Sequence, residues 1–212
     1  MIKKSLRFFK KGTIAVLLSA ITAGAYADTP PIDVVQKKLS SIRTMHAAFI
    51  QTIHAKRRVV SQSSGMMALA RPNRFRWQTK QPMAQTVIAD GKRVWIYDTE
   101  LEQVTVSQQT KHLGAAGALF LSQDHNAVAR DFDLMSYQQG AFDTFDLQAK
   151  SHKSNFEHVR LMFKQNILVG IELDDQLGQH TVVRFSNIKT NQTEPDHLFQ
   201  FKVPAGVDVV EQ

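Results

Sequence analysis

From Arg43 onward the apolar residues of this chain recur mainly at a period of two, in short runs separated by turn sequences. Such alternation commits the backbone to strands, because successive side chains of a strand point to opposite faces. The runs are His46–His54, Gly65–Ala70, Arg74–Trp77, Thr86–Ala89, Val94–Tyr97 and Val104–Ser107, then Thr144–Ala149, Phe156–Lys164, Ile167–Asp174, His180–Ile188 and Leu198–Val203. Arg71-Pro72-Asn73, Asp90-Gly91 and Asp98-Thr99-Glu100 supply turn chemistry between them. Many short strands at such spacing predict an antiparallel sandwich or barrel-like sheet.

Two regions depart from that period. Val35, Leu39 and Ile42 fall at i, i+4 and i+7, which predicts a helix over Ile32–Ile42 behind Pro30-Pro31. Gln109–Arg130 is rich in Ala and Leu and predicts short helices around Leu113–Leu121 and His125–Arg130. The fold class is therefore mainly β with a few helices. Phe75 and Trp77 share a strand face, as do Phe199 and Phe201. Those aromatics fit either a packed core or a curved sheet enclosing an apolar cavity beneath a helical lid, and periodicity does not separate the two.

The N-terminus has its own logic. Lys3, Lys4, Arg7, Lys10 and Lys11 precede the apolar run Gly12–Ala23, and Ala25 and Ala27 flank Tyr26 as a small-residue cleavage site. This is the pattern of a secretory signal peptide over residues 1–27, with Asp28 opening the mature chain. A membrane anchor needs about 20 apolar residues, more than this run supplies. The net charge of +7 resides mostly here, since the remaining balance is 21 basic to 19 acidic residues. A nucleic-acid partner is thereby disfavoured. No linker divides residues 28–212, so one domain is expected.

The chemistry of catalysis is sparse. With no cysteine, disulfides, thiolate metal sites and cysteine nucleophiles are excluded. There is no GxxxxGK[ST], GxGxxG, GxSxG or HExxH. His46 and His54 stand about 26 Å apart along an extended strand at roughly 3.3 Å per residue, too far to share a metal. Asp174-Asp175 reads as a solvated turn. No cofactor or metal site is expected, and an enzyme is disfavoured.

The most informative blocks are Arg71-Pro72-Asn73-Arg74-Phe75-Arg76-Trp77, Asp90-Gly91-Lys92-Arg93-Val94-Trp95-Ile96-Tyr97 and Gln103-Val104-Thr105. Leu39–Gln51 and Pro195–Val207 extend the agreement toward both ends. In this order the blocks resemble the periplasmic outer-membrane lipoprotein carrier family, LolA. The resemblance implies an unclosed antiparallel β-barrel with a lid of short helices over a cavity that shields lipoprotein acyl chains. It implies a soluble periplasmic monomer that takes its cargo from an inner-membrane ABC transporter and hands it to an outer-membrane receptor. That receptor shares the fold but is itself a lipoprotein, and this chain has no cysteine to acylate. A lipid- or partner-binding half-barrel without carrier activity is the alternative. By the same resemblance Arg71 latches the lid through helix-end carbonyls, and Phe75 and Trp77 line the cavity, Phe75 near its mouth. Trp95 and Tyr97 are candidates for wall or core, and Met66, Met67, Phe120 and Leu121 are further candidates.

Overall fold

A computed structural model describes residues 31–109, 121, 126–151 and 156–212. The expected signal peptide, residue Phe120 and all of the helix expected at Leu113–Leu121 except Leu121 lie outside the described residues.

Helix α1 (Pro31–Ser41) leads into β1 (Thr44–Ala55), β2 (Arg58–Ala70), β3 (Arg74–Gln81), β4 (Gln85–Asp90), β5 (Arg93–Asp98) and β6 (Gln103–Gln108). A short helix α2 (Ala127–Asp131) precedes β7 (Phe132–Gln138), β8 (Asp143–Ala149), β9 (Phe156–Lys164), β10 (Ile167–Asp175), β11 (Gln179–Thr190) and β12 (Asp208–Glu211). All twelve form one sheet in the order β12-β6-β5-β4-β3-β2-β1-β11-β10-β9-β8-β7. Its two ends, β12 and β7, do not pair with each other, so the sheet is an unclosed barrel. Every strand pair is antiparallel except β12 with β6. The β1–β11 pairing, from Met45↔Thr190 to Ala55↔Gln179, joins the two halves of the chain.

The strand alternation carries through into burial. Met45, Ala47 and Phe49 of β1 are buried, and with Met67 and Leu69 of β2 they join a core that continues through Phe145, Leu161, Phe163 and Phe185. Val35, Leu39 and Ile42 enter the same core, so α1 lays its apolar stripe against the inner face of the sheet. Lys38 fixes that placement. Its ammonium ion-pairs with Asp143 at 2.8 Å and donates to the Gln165 carbonyl at 2.6 Å.

Three expectations are corrected. Leu198–Val203 is not a ladder strand: a 3-10 turn (Asp196–Phe199) and an extended segment lie across the outer face of the sheet. Phe199 is buried there with Ala68 and Ala70, and the Leu198 carbonyl accepts from Arg76. Phe199 and Phe201 alternate because one surface is covered, not because a strand pairs. Strand β7 directly follows α2, where no strand was expected before Gly140. Strand β12, four residues long, lay below the length that periodicity resolves.

Candidate functional site

The inner face encloses a cavity of about 320 Å³. One wall comes from β1–β3 through Met45, Met67, Leu69, Phe75 and Trp77, and the other from β9–β11 through Phe156, Leu168, Ile171, Leu173, Val183 and Phe185. Leu39 and Ile42 at the end of α1, with Leu121, complete the lining. Gln51, Arg71 and Thr181 are its polar members. Such a lining offers burial rather than proton transfer. Trp77 stacks on buried Phe49, with ring centroids 3.8 Å apart, and Phe75 follows at 6.1 Å from Trp77. The aromatic wall is thus anchored in the core at Phe49 and half-exposed at Phe75.

The turn 71–73 holds the lining together. Arg71 Nε donates to the Ile42 carbonyl at 2.9 Å, immediately past the end of α1. The last carbonyls of a helix have no partner within it, and a guanidinium supplies donors for them. Asn191, in the left-handed region at φ 57°, donates from Nδ2 to the Ser41 carbonyl at 2.9 Å and accepts from the Arg43 amide at 2.8 Å. Two side chains from distant parts of the chain therefore receive the end of one helix. On the other side of the turn the Asn73 amide donates to the Leu121 carbonyl at 3.2 Å. Burial lowers the Arg71 pKa to about 10, which leaves it cationic at neutral pH but makes its position costly.

Residues 40–202 match the family model described as outer membrane lipoprotein carrier protein LolA. The outer-membrane lipoprotein carrier protein of Legionella pneumophila (strain Corby) is 54% identical over 180 residues, covering 85% of this chain and 89% of that one. The protein of that name from Pseudomonas putida KT2440 is 34% identical over 201 residues, covering 93% of this chain and 97% of that one. The chain belongs to the outer-membrane lipoprotein carrier family. An uncharacterized conserved protein from Thermus thermophilus shares the fold, with a TM-score of 0.53 at 16% identity over 85% of this chain and 96% of that one.

Within this carrier-family chain the site residues named from sequence divide by face. Arg71, Phe75, Trp77, Met67 and Leu121 line the cavity. Met66, Trp95 and Tyr97 do not, and their assignment to its wall is corrected. In the ladder, Met66 opposes Gln78, Gln78 opposes Thr86, and Thr86 opposes Tyr97, while Trp95 opposes Ile88. All of these stand on the outer face, where Trp95 and Tyr97 pack on Phe201 with centroids 5.5 and 5.8 Å away. The Trp95 indole also donates to Asp90 at 3.0 Å. Burial pushes the Asp90 carboxyl up, but the Arg93 and Lys92 amides and this indole hold it below the ordinary carboxylate range. Trp95 therefore fastens a turn.

The wall contributed by β9–β11 was missed from sequence. Thr181, Val183 and Phe185 share one parity and were readable as a face. Leu168 and Ile171 have opposite parity yet share the cavity, because the register shifts between Leu168 and Gly170. A bulge moves side chains to the other face, and no local residue pattern announced it. Asp174 and Asp175 are structural: one pairs with His180 at 2.7 Å and the other accepts the Leu177 and Gln179 amides of its turn.

Proposed function

We propose that this chain is a periplasmic carrier that shields lipoprotein acyl chains on their way from the inner to the outer membrane. The observation that carries the reading is an apolar cavity roofed by a helix end held on Arg71 and Asn191, in a chain of the carrier family. Burying acyl chain yields about 0.8 kcal/mol per CH₂, so one long chain offers on the order of 10 kcal/mol. A carrier that realised all of that could not unload. The closed roof supplies the offset, because Leu39 and Ile42 already bury apolar surface that cargo must displace. A volume of about 320 Å³ is at the low end for a single small ligand, so accommodating several acyl chains requires α1 to lift.

In this scheme Arg71 is the latch and Phe75 stands where cargo is handed over. An inner-membrane transporter supplies the energy of loading, and unloading runs downhill to an outer-membrane receptor with a better apolar site. No covalent chemistry is needed, which agrees with a lining whose polar side chains are a glutamine, an arginine and a threonine. The decisive experiment uses spheroplasts making a labelled lipoprotein. Adding the exported protein is expected to release label into solution as a one-to-one complex. Label retained in the membrane overturns the reading.

Export is the second expectation. Cleavage behind Ala27 gives a single domain, residues 28–212, whose intact mass corresponds to a start at Asp28. Recovery of the uncleaved chain in the inner membrane would contradict it.

A further inference from the structure

The antiparallel order places four turns at one end of the sheet: Lys56-Arg57 between β1 and β2, 82–84 between β3 and β4, 99–102 between β5 and β6, and 176–178 between β10 and β11. In the sheet these turns are consecutive along the rim, from β6 round to β10. Each carries, in the turn or just beside it, a large apolar side chain directed to solvent. Leu177 is 86% exposed, Leu101 71%, Met83 62%, Val59 60% and Val60 58%. Among the described residues only Met135, on the edge strand β7, is a large apolar side chain as exposed as these. Single exposed apolar residues are ordinary on a soluble protein. One on each of four neighbouring turns is a patterned surface.

The same rim carries unpaired positive charge. Lys56, Arg57 and Arg58 are contiguous and exposed, Lys80 is exposed at the end of β3, and none of the four makes an ion pair among the described residues. The nearby acids are otherwise engaged in part: Asp174 pairs with His180, and Asp175 binds its own turn. Glu100 and Glu102 flank Leu101, so the positive field is centred on the β1–β2 and β3–β4 turns. The β1–β2 hairpin also overhangs its neighbour, since β3 pairs with β2 only from Ser64 onward. The end of α1 sits at the opposite end of the sheet, beside the start of β1. The cavity reaches toward the rim through Leu173 and Thr181, a few residues from the β10–β11 turn.

We propose that this rim docks on the surface of an anionic phospholipid bilayer, the apolar turn tips entering the interface while Lys56, Arg57, Arg58 and Lys80 meet lipid phosphates. Apolar tips beside basic side chains are the combination that holds proteins reversibly at such surfaces, since each cation and each buried side chain adds a modest increment. Docking here turns the Leu173 and Thr181 end of the cavity toward the bilayer. The proposal is independent of the latch at the other end of the sheet. It would survive failure of the carrier reading, and the spheroplast assay would survive failure of this one.

The test is flotation of the exported protein with vesicles of phosphatidylcholine mixed with phosphatidylglycerol, against pure phosphatidylcholine. Binding is expected on the anionic vesicles only, and is expected to vanish in molar salt as screening shortens to about 3 Å. Replacing Lys56, Arg57 and Arg58 together by Glu should weaken binding on the order of 100-fold or more, and Leu177→Asp about tenfold. All four positions are exposed, in a turn or at the first residue of β2 beside one, so melting temperatures should match the parent. Absence of binding at low salt, equal binding to neutral and anionic vesicles, or variants that float like the parent each overturn the proposal. So does binding that appears only when a membrane protein is reconstituted in the vesicle. If the triple variant misfolds, Leu177→Asp and the salt dependence decide alone.

Discussion

Phe75→Glu is expected to give a folded protein that carries no cargo to the receptor. Phe75 lines the cavity and is only partly buried, while Phe49, two rings further in, is buried at 2% exposure. A carboxylate at position 75 reaches water by turning within a roomy site, so its desolvation is incomplete and its cost modest. About 1 kcal/mol of destabilisation lowers the melting temperature by roughly 2–4 °C in a domain of this size. Acyl chains passing the same point meet a charge that they cannot solvate, and transfer to the receptor fails. Phe49→Glu is the contrasting variant, which buries an unpaired charge against Trp77 and should not fold. Melting and transfer measured on one preparation decide the matter. A Phe75→Glu protein that melts as badly as Phe49→Glu makes Phe75 ordinary core.

Arg71→Leu is expected to bind acyl cargo more tightly and release it more slowly. The substitution frees the Ile42 carbonyl from its guanidinium donor, so α1 lifts at less cost and less of the acyl binding energy is spent on opening. A hydrogen bond to a charged group contributes about 1.5–3 kcal/mol, equivalent to roughly a 10- to 100-fold gain in affinity. Because burial of this arginine is itself costly, the leucine variant should not melt much below the parent. Stability and transport then move independently, as a latch requires and a structural contact does not. Arg71→Lys should keep part of the function, retaining charge without the planar fork. Transfer at the parental rate by Arg71→Leu sinks the assignment.

The sheet was legible because its strands alternate, and α1 because three apolar residues fall at helical spacing. What alternation does not state is which face is inside. Phe75 and Trp77 on β3 and Trp95 and Tyr97 on β5 carry the same signal, yet the first pair lines the cavity and the second lies under the C-terminal segment. On β3 the inner face meets the cavity, while the outer face of β3–β5 lies under Phe199 and Phe201, so aromatic content marks both. On β10 the parity itself changes at the register shift, so Leu168 and Ile171 reach one cavity from positions that a regular strand would place on opposite faces. The helix end was visible as a boundary, but its reception by Asn191, 150 residues further on, is a tertiary fact without local trace.

The long-range ladders also bear on the order in which this fold can assemble. Strand β1 finds its second neighbour only when β11 exists, and β6 acquires β12 only from residues 208–211. A growing chain can form hairpins, but it cannot join the two halves of the sheet before residues 179–190 are made, or close the outer covering before Phe199 and Phe201 follow. Contacts so distant in sequence are slow to form. Under the export proposed above, that delay keeps the chain open for passage across a membrane. The same ladders that enclose the cavity therefore make it one of the last features of the fold to assemble.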